Sequence, residues 1–184
     1  MADRMAAEIQ IGGKVRRSVA GELCGVIATE GVSLDWGDAP FRPATPEDLL
    51  AARSDDGDGL LLLRLYDHEA AWGELEELEE FLREHEIPFC RYSEGKYEYT
   101  PETAGYFPQL GPVAWLTDHE RHPIVLASEA RPIEAQLHRV VESMERGKAT
   151  LATLVRQIKA SLKSLRATLP PDVPALDAFE IIDD

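Results

Sequence analysis

The stretch PIEAQLHRVVESMERGKATLATLVRQIKASLKSLRATL, residues 132–169, decides how the chain is organised, because no proline interrupts it. Pro132 suits the first helical position, and the next proline is Pro170. One helix over this stretch would extend roughly 57 Å at ~1.5 Å per residue, which exceeds the width of a small domain. The pattern predicts a long C-terminal helix. A break at Gly147 stays open, because glycine weakens a helix interior.

The apolar residues of this stretch recur every seven positions. One series is unbroken: Leu137, Met144, Leu151, Ile158 and Leu165. A second series begins at Ile133 and Val140 and then decays. Two interpretations follow, a helix packed on its own domain or a homodimer of two copies. For the homodimer we expect contact through the apolar residues beyond the glycine: Leu151, Leu154, Ile158, Leu162 and Leu165.

Charge is distributed unevenly along the chain. Between Arg146 and Arg166 there are six basic residues and no acidic one, whereas the remainder carries 13 basic and 34 acidic residues. Helical spacing places four of the basic residues in one stripe: Arg156, Lys159, Lys163 and Arg166. The net charge of −15 disfavours direct binding of duplex nucleic acid. It favours a protein partner with a basic surface, or it serves simply for solubility.

The composition is that of a globular protein, with 184 residues of which 44% are hydrophobic. Cys24 and Cys90 are too few for a disulfide framework, and no apolar run approaches the ~18 residues of a membrane span. No N-terminal segment has the pattern of a signal peptide. We therefore expect a cytoplasmic protein without membrane contact. Phosphate loops, nucleophile elbows and paired Cys-x-x-Cys motifs are absent from the sequence, so no cofactor is predicted and a non-catalytic role is favoured.

Apolar periodicity predicts an α+β fold. Residues 8–99 follow the order strand, helix, strand, short helix, strand, helix, strand, which resembles the split βαβ, ferredoxin-like topology. The predicted strands cover 8–11, 32–36 and 60–65, with hairpins at 89–92/96–99 and 113–117/124–127. The predicted helices cover 18–30, 45–53 and 69–86. We therefore divide the chain into an α+β domain with an antiparallel sheet and an added hairpin (1–128), the long helix (129–169) and an acidic-apolar tail (170–184).

The predicted helix at 69–86 has the most unusual surface. Seven glutamates fall within the thirteen residues from Glu74 to Glu86. The ordinary interpretation is a solvated helix face. An internal interpretation is that this face receives the basic stripe of the long helix, within one chain or between two copies. The functional one is an anionic docking surface for a basic partner, an inhibitor or adaptor that presents carboxylates as nucleic acid presents phosphates. The residues assigned to this surface are Glu74, Glu76, Glu77, Glu80 and Glu84.

Two triplets, Asp67-His68-Glu69 and Asp118-His119-Glu120, suggest a rival function. Their residue types suit a transition metal, and a metal-dependent enzyme would use Asp67, His68, His119 and His122. Adjacent residues point in different directions, so a site requires two elements to meet. The simpler interpretation is that Asp67 caps a helix and that residues 118–121 form a turn.

Two further patterns have weaker support. Tyr92, Tyr97 and Tyr99 could stack bases, but Glu94 and Glu98 lie among them and the glycine–aromatic motif of an RNA-binding sheet is absent. Residues 54–59 (SDDGDG) partly match a calcium loop, but position 12 is a leucine, so a flexible turn is favoured.

Overall fold

The computed structural model describes residues 3–55, 57, 59–96, 99–147 and 149–184. The chain divides into two compact units. The first, which we call the sheet unit, comprises Met1–His122 with Asp172–Asp184. The second, the helical unit, comprises Pro123–Pro171.

The described residues form eight strands and five helices. The strands are β1 (Arg4–Ile11), β2 (Lys14–Arg16), β3 (Arg53–Asp55), β4 (Leu61–Ala71), β5 (Phe89–Ser93), β6 (Glu102–Phe107), β7 (Gly111–Leu116) and β8 (Glu180–Ile182). The helices are α1 (Arg17–Glu30), α2 (Pro46–Ala51), α3 (Glu76–Glu84), α4 (Ala127–Glu145) and α5 (Leu151–Thr168).

Six of the strands form one antiparallel sheet in the order β3-β4-β1-β5-β6-β7. Alternation along β1 buries Ile9 and Ile11 in the core, which also contains Leu23 of α1 and Leu78 of α3. The same alternation sends Glu8 to the opposite face of the sheet. The predicted α+β class with an antiparallel sheet is confirmed.

Local sequence signals determine several helix ends. Thr45 and Asp48 form the predicted capping box of α2, in which the Asp48 carboxylate accepts from the Thr45 backbone N–H at 2.8 Å. Gly31 ends α1 in the left-handed conformation at φ 81°, as expected for a C-terminal glycine. The predicted cap at Ser18 is wrong, because α1 begins at Arg17 and Ser18 lies inside its first turn.

The region between residues 66 and 76 differs from its prediction. Residues 69–71, expected to be helical, extend β4, because Arg4 and Met5 of β1 pair with Ala71 and Ala70. The helix begins only at Glu76, after Trp72 and Gly73 turn the chain at positive φ. The predicted capping role of Asp67 is therefore wrong, since long-range pairing overrides local helix propensity here.

The strand partners were also predicted incorrectly. β5 pairs with β6, which lies where a loop at 100–111 was expected. β6 in turn pairs with β7, so residues 113–117 do not form the expected hairpin with 124–127. The predicted strand at 32–36 reduces to a single bridge between Ser33 and Tyr66. Residues 54 and 55, expected to lie in a turn at 54–59, belong to β3 instead. Asp56, Asp58, Tyr97 and Glu98, used in the calcium-loop and tyrosine hypotheses, lie outside the described residues.

The stretch 132–169 contains two helices, with the break at the glycine. Gly147 adopts φ 57°. Thr150 then caps the start of α5, because its side-chain oxygen accepts the Thr153 backbone N–H at 3.3 Å. Pro132 lies inside α4 rather than at its first position. Among the described residues, no helix is both long enough and apolar enough to cross a membrane.

The tail returns to the sheet unit. β8 pairs in parallel with β2, and the Phe179 ring is fully buried in the core. The Gly13 backbone N–H donates to the Asp177 carbonyl at 3.0 Å. A Cβ on Gly12 would lie 2.3 Å from that same carbonyl oxygen, so only glycine permits this approach.

Candidate functional site

The five predicted docking glutamates are all exposed, and we call them the acidic face: Glu74, Glu76, Glu77, Glu80 and Glu84. The opposite side of the same segment buries three leucines: Leu75, Leu78 and Leu82. In the described part of the chain, none of the five carboxylates forms an ion pair. Within the described residues, the acidic face therefore carries negative charge that no ion pair neutralises.

Glu79 is the glutamate of α3 that points inward. Its carboxylate accepts from Arg91 Nε at 2.6 Å and lies 3.4 Å from Arg83 Nη1. Arg91 also donates to the Gly73 carbonyl at 2.7 Å. Arg83, the basic residue of α3, is thereby directed to Glu79. Neither Glu79 nor Arg91 was singled out from the sequence, because nothing local distinguishes a buried ion pair from two ordinary surface residues.

A groove of about 310 Å³ begins where the acidic face meets β4 and α1. Its carboxylate-bearing residues are Glu30, Asp67, Glu74, Glu76 and Glu77. Trp72 and Arg4 also line it. This groove is the concave part of the acidic face, and Asp67 belongs to it rather than to a histidine cluster.

Glu30 connects α1 to this groove. Its carboxylate accepts the Leu78 backbone N–H at 3.1 Å and so satisfies an unpaired donor at the start of α3. Burial raises the pKa of Glu30, and the negative charges of Glu77 and Asp67 raise it further. The raised pKa therefore reflects chiefly the burial of Glu30 and, to a smaller extent, the neighbouring carboxylates.

Trp72 supplies an aromatic wall beside these carboxylates. Its side chain is 46% exposed although its backbone holds φ 58°, a conformation rarely adopted by bulky residues. The Trp72 backbone N–H donates to the Asp3 carbonyl at 2.8 Å, and its ring meets Tyr99 edge-on at 5.9 Å between centroids. The indole is therefore held in place at the surface.

The histidines singled out from the sequence separate into two places. His68 and His119 line one pocket, whereas His122 lies on a surface turn with its Nδ1 3.2 Å from Asp118 Oδ2. Within the described residues, no three of the four residues of the predicted metal site bring their ligand atoms together.

Asp118 organises that turn, as the sequence indicated for residues 118–121. Its Oδ1 accepts the backbone N–H groups of Glu120 and His122 at 2.9 and 2.8 Å. These hydrogen bonds lower the pKa of Asp118, the one from the His122 backbone most strongly. Asp118, Glu120 and His122 also form a group whose ligand atoms lie within 4.8 Å of one another, with Glu120 and His122 exposed. Turn formation accounts for this arrangement.

The turn carries Arg121 onto the open face of the sheet at φ 67°. There Arg121 forms an ion pair with Glu8, which is only 5% exposed, and its guanidinium lies 4.4 Å from the centroid of the Tyr92 ring. Burial acts to raise the pKa of Glu8, but hydrogen bonds from Arg121 and Gln10 outweigh it, so the pKa is held below its usual value. Sequence reasoning missed this pair.

α4 and α5 pack together as a helical hairpin. The residues they bury come from the series that decays in the sequence: Ile133, Val140, Leu154 and Ser161. Most of the predicted self-association residues are exposed instead: Leu151, Ile158, Leu162 and Leu165. The four residues of the basic stripe, Arg156, Lys159, Lys163 and Arg166, are exposed as well.

Comparisons of this chain with protein-family models, with curated proteins and with solved structures gave no match.

Proposed function

We propose that this protein is a non-catalytic interaction protein that docks a basic protein partner on the acidic face, and that it acts as an inhibitor or adaptor. The observation that carries the proposal is that five exposed carboxylates lie together without an ion pair in the described residues. We also propose that the strand order β3-β4-β1-β5 belongs to a split βαβ, ferredoxin-like topology, in which α3 packs one side on the sheet and leaves the other open to a partner.

Electrostatics favours a cationic partner. Like charges on adjacent turns of a helix repel by a few tenths of a kcal/mol per pair. A basic partner relieves this repulsion and gains long-range attraction that accelerates its encounter with the face. A row of carboxylates presents charge to a basic groove as a nucleic-acid backbone does, so a nucleic-acid-binding protein is the class of partner that suits this face.

The groove gives the docking surface a specific anchor point. A lysine or arginine side chain entering it would meet the carboxylates of Glu30, Asp67 and Glu77, with the exposed Trp72 ring beside them. Cations bind tryptophan faces by ~0.5–2 kcal/mol in addition to their ion pairs. Anchoring of this kind concentrates binding energy in a few residues, as interfaces commonly do.

The charge-reversed variant Glu76→Lys/Glu77→Lys/Glu80→Lys/Glu84→Lys is expected to bind arginine-rich peptides and its cellular partner roughly 10- to 1000-fold more weakly. Four surface ion pairs at ~0.3–1 kcal/mol each account for this range. Calorimetry with an oligo-arginine peptide, and pull-downs at low and high salt, measure the change. Wild-type binding should itself weaken as salt rises.

The matched control reverses four exposed acidic residues elsewhere, Glu22, Asp38, Glu129 and Glu145, and so gives the same change in net charge. If this control loses binding as strongly as the acidic-face variant, net charge rather than the face is responsible and the docking proposal fails. Equal binding by the wild type and the acidic-face variant would also contradict it.

We also propose that the protein forms a homodimer through α5. Leu151, Ile158 and Leu162 are exposed at 77%, 38% and 46%, and burying a large apolar side chain contributes ~1.5–3 kcal/mol. Light scattering over a hundredfold concentration range should show twice the monomer mass at the upper end. The variant Leu151→Ser/Ile158→Ser/Leu162→Ser should remain monomeric throughout. A monomer mass for the wild type at every concentration would contradict the dimer.

The metal-dependent alternative receives less support. It needs Asp67, His68, His119 and His122 at one point, whereas within the described residues no three of them bring their ligand atoms together. The acidic face therefore remains the basis of the proposed function.

A further inference from the structure

The open face of the sheet contains a second site that the docking proposal does not use. A pocket of about 340 Å³ lies over β1, within the sheet unit. Its lining consists of Ala6, Trp36, His68, Tyr92, Glu94, His119 and Arg121. Ligand pockets in proteins typically combine such aromatic walls with a few converging polar groups.

Backbone irregularity creates the depression. Met5 and Ala7 of β1 pair with Ala70 and Asp67 of β4, so two residues of β4 lie opposite Ala6 alone. This is a β-bulge, a feature that redirects side chains next to binding sites. His68 is one of the two bulged residues, and it lines the pocket. Ala6 has only a methyl group, which leaves the floor between β4 and β5 open.

Aromatic groups stand on both sides of this floor. On the β4 side, Trp36 packs against His68 with ring centroids 4.8 Å apart. On the β5 side, Tyr92 is covered by Arg121 at 4.4 Å. The pocket over Ala6 lies between these two aromatic groups, and its volume of about 340 Å³ falls within the range of small-molecule sites. Aromatic walls of this kind favour a flat ring as the ligand.

The polar groups around the pocket require both donors and acceptors on the ligand. Arg121 donates, Glu94 accepts, and the imidazoles of His68 and His119 can do either. The charge of Arg121 is already balanced by Glu8. With the carboxylate of Glu94 also in its lining, the pocket has no excess positive charge. A phosphate or another anion is therefore disfavoured as its ligand.

We infer that this pocket binds a nucleobase, a neutral planar heterocycle with donor and acceptor edges, delivered as a free nucleoside. A single-stranded nucleic acid offers the same ring. Its phosphates, however, would approach the exposed carboxylates of Glu94 and Glu120 on a chain of net charge −15. The source is therefore the nucleoside rather than the polymer.

Titration of the full-length protein with adenosine, guanosine, cytidine and uridine tests this inference, read by saturation-transfer NMR and by tryptophan fluorescence. At least one nucleoside should bind saturably. Trp36→Ala should weaken that binding roughly 5- to 150-fold, the range for removal of one aromatic stacking partner. Because Trp36 is 41% exposed, its removal leaves the core intact.

Ala6→Leu provides a second variant, which fills the floor without changing any charge and should abolish binding. Ala114→Leu, at an exposed position on β7 outside the pocket, is its matched control and should bind as the wild type does. Saturable binding lost in Trp36→Ala and Ala6→Leu but retained in Ala114→Leu supports the inference. Failure of all four nucleosides to bind, or unchanged binding by Ala6→Leu, overturns it.

Two comparison ligands identify the source and the ring type. A ten-nucleotide single strand that binds more tightly than any nucleoside, with affinity falling as salt rises, would overturn the nucleoside assignment. Free tryptophan binding as tightly as the best nucleoside would overturn the assignment of a nucleobase, because its ring lacks the acceptor edge. Neither result bears on the acidic face, which lies on α3 and is tested with basic peptides.

Discussion

Replacement of Arg91 by methionine is expected to lower the free energy of unfolding by about 3–5 kcal/mol, because it leaves the buried Glu79 carboxylate with only the more exposed Arg83, 3.4 Å away, as a cation. The side chains of Arg91 and Glu79 are only 3% and 8% exposed, and their atoms lie 2.6 Å apart. The Gly73 carbonyl, which accepts from Arg91 at 2.7 Å, loses its donor in the same variant. Chemical denaturation followed by circular dichroism measures the change.

Two controls separate the ion pair from the loss of an arginine as such. Arg42→Met, at an exposed position, should change the stability by less than about 0.5 kcal/mol. The double variant Arg91→Met/Glu79→Leu should recover most of the loss, since an apolar pair can replace a buried ion pair at little cost. If the free energy of unfolding of Arg91→Met alone were within about 1 kcal/mol of the wild-type value, the loss would fall well short of the expected range. Glu79 would then have found another partner or water.

Replacement of Phe179 by alanine is expected to cost about 3–5 kcal/mol, the range for deleting a buried aromatic ring. The ring is 0% exposed and belongs to the core that α1 and the sheet enclose. Its backbone is fixed as well, since the Phe179 N–H donates to the Leu61 carbonyl and the Phe179 carbonyl accepts from Arg53 at 3.0 Å. Denaturation of the variant should therefore show a large loss of stability, although Phe179 lies only five residues before Asp184.

Ile182 provides the matched control in the same segment. It is 40% exposed, so Ile182→Ala should cost less than about 1 kcal/mol. Limited proteolysis gives a second readout, because loss of the ring should make residues 172–184 cleavable before the sheet is. If Phe179→Ala were as stable and as protease-resistant as Ile182→Ala, the tail would not be part of the core.

Several features could be predicted from the sequence because they depend on neighbours within a few residues. The alternation of Ile9 and Ile11 predicts a strand, and both residues lie in β1. Thr45 with Asp48 forms its capping box, and Gly31 ends α1, because each acts on backbone groups of its own turn. The exposure of Glu76, Glu80 and the rest of the acidic face follows from helical spacing against buried leucines in the same way.

Only the tertiary structure decided the features that depend on distant partners. Residues 102–107 have weak strand propensity, yet they form β6, where a Cβ on Gly105 would lie 2.6 Å from the Phe89 carbonyl of the neighbouring strand. Residues 69–71 are strand rather than helix because β1 supplies their hydrogen bonds. Backbone pairing with an available edge outweighs propensity differences of about 1 kcal/mol or less per residue.

The same distinction between local and distant partners applies to the candidate sites. The acidic face lies on one short segment, so its residue types and spacing were sufficient to find it. The pocket over Ala6 draws His68, Tyr92 and Arg121 from three separate parts of the chain, and the pair of Glu79 with Arg91 joins a helix to a strand. Sequence by itself determined which residues carry charge and which local turns they form. The fold decided which charges meet, because contact between distant residues depends on how the sheet is ordered and on which side chains its pleat turns to the same face.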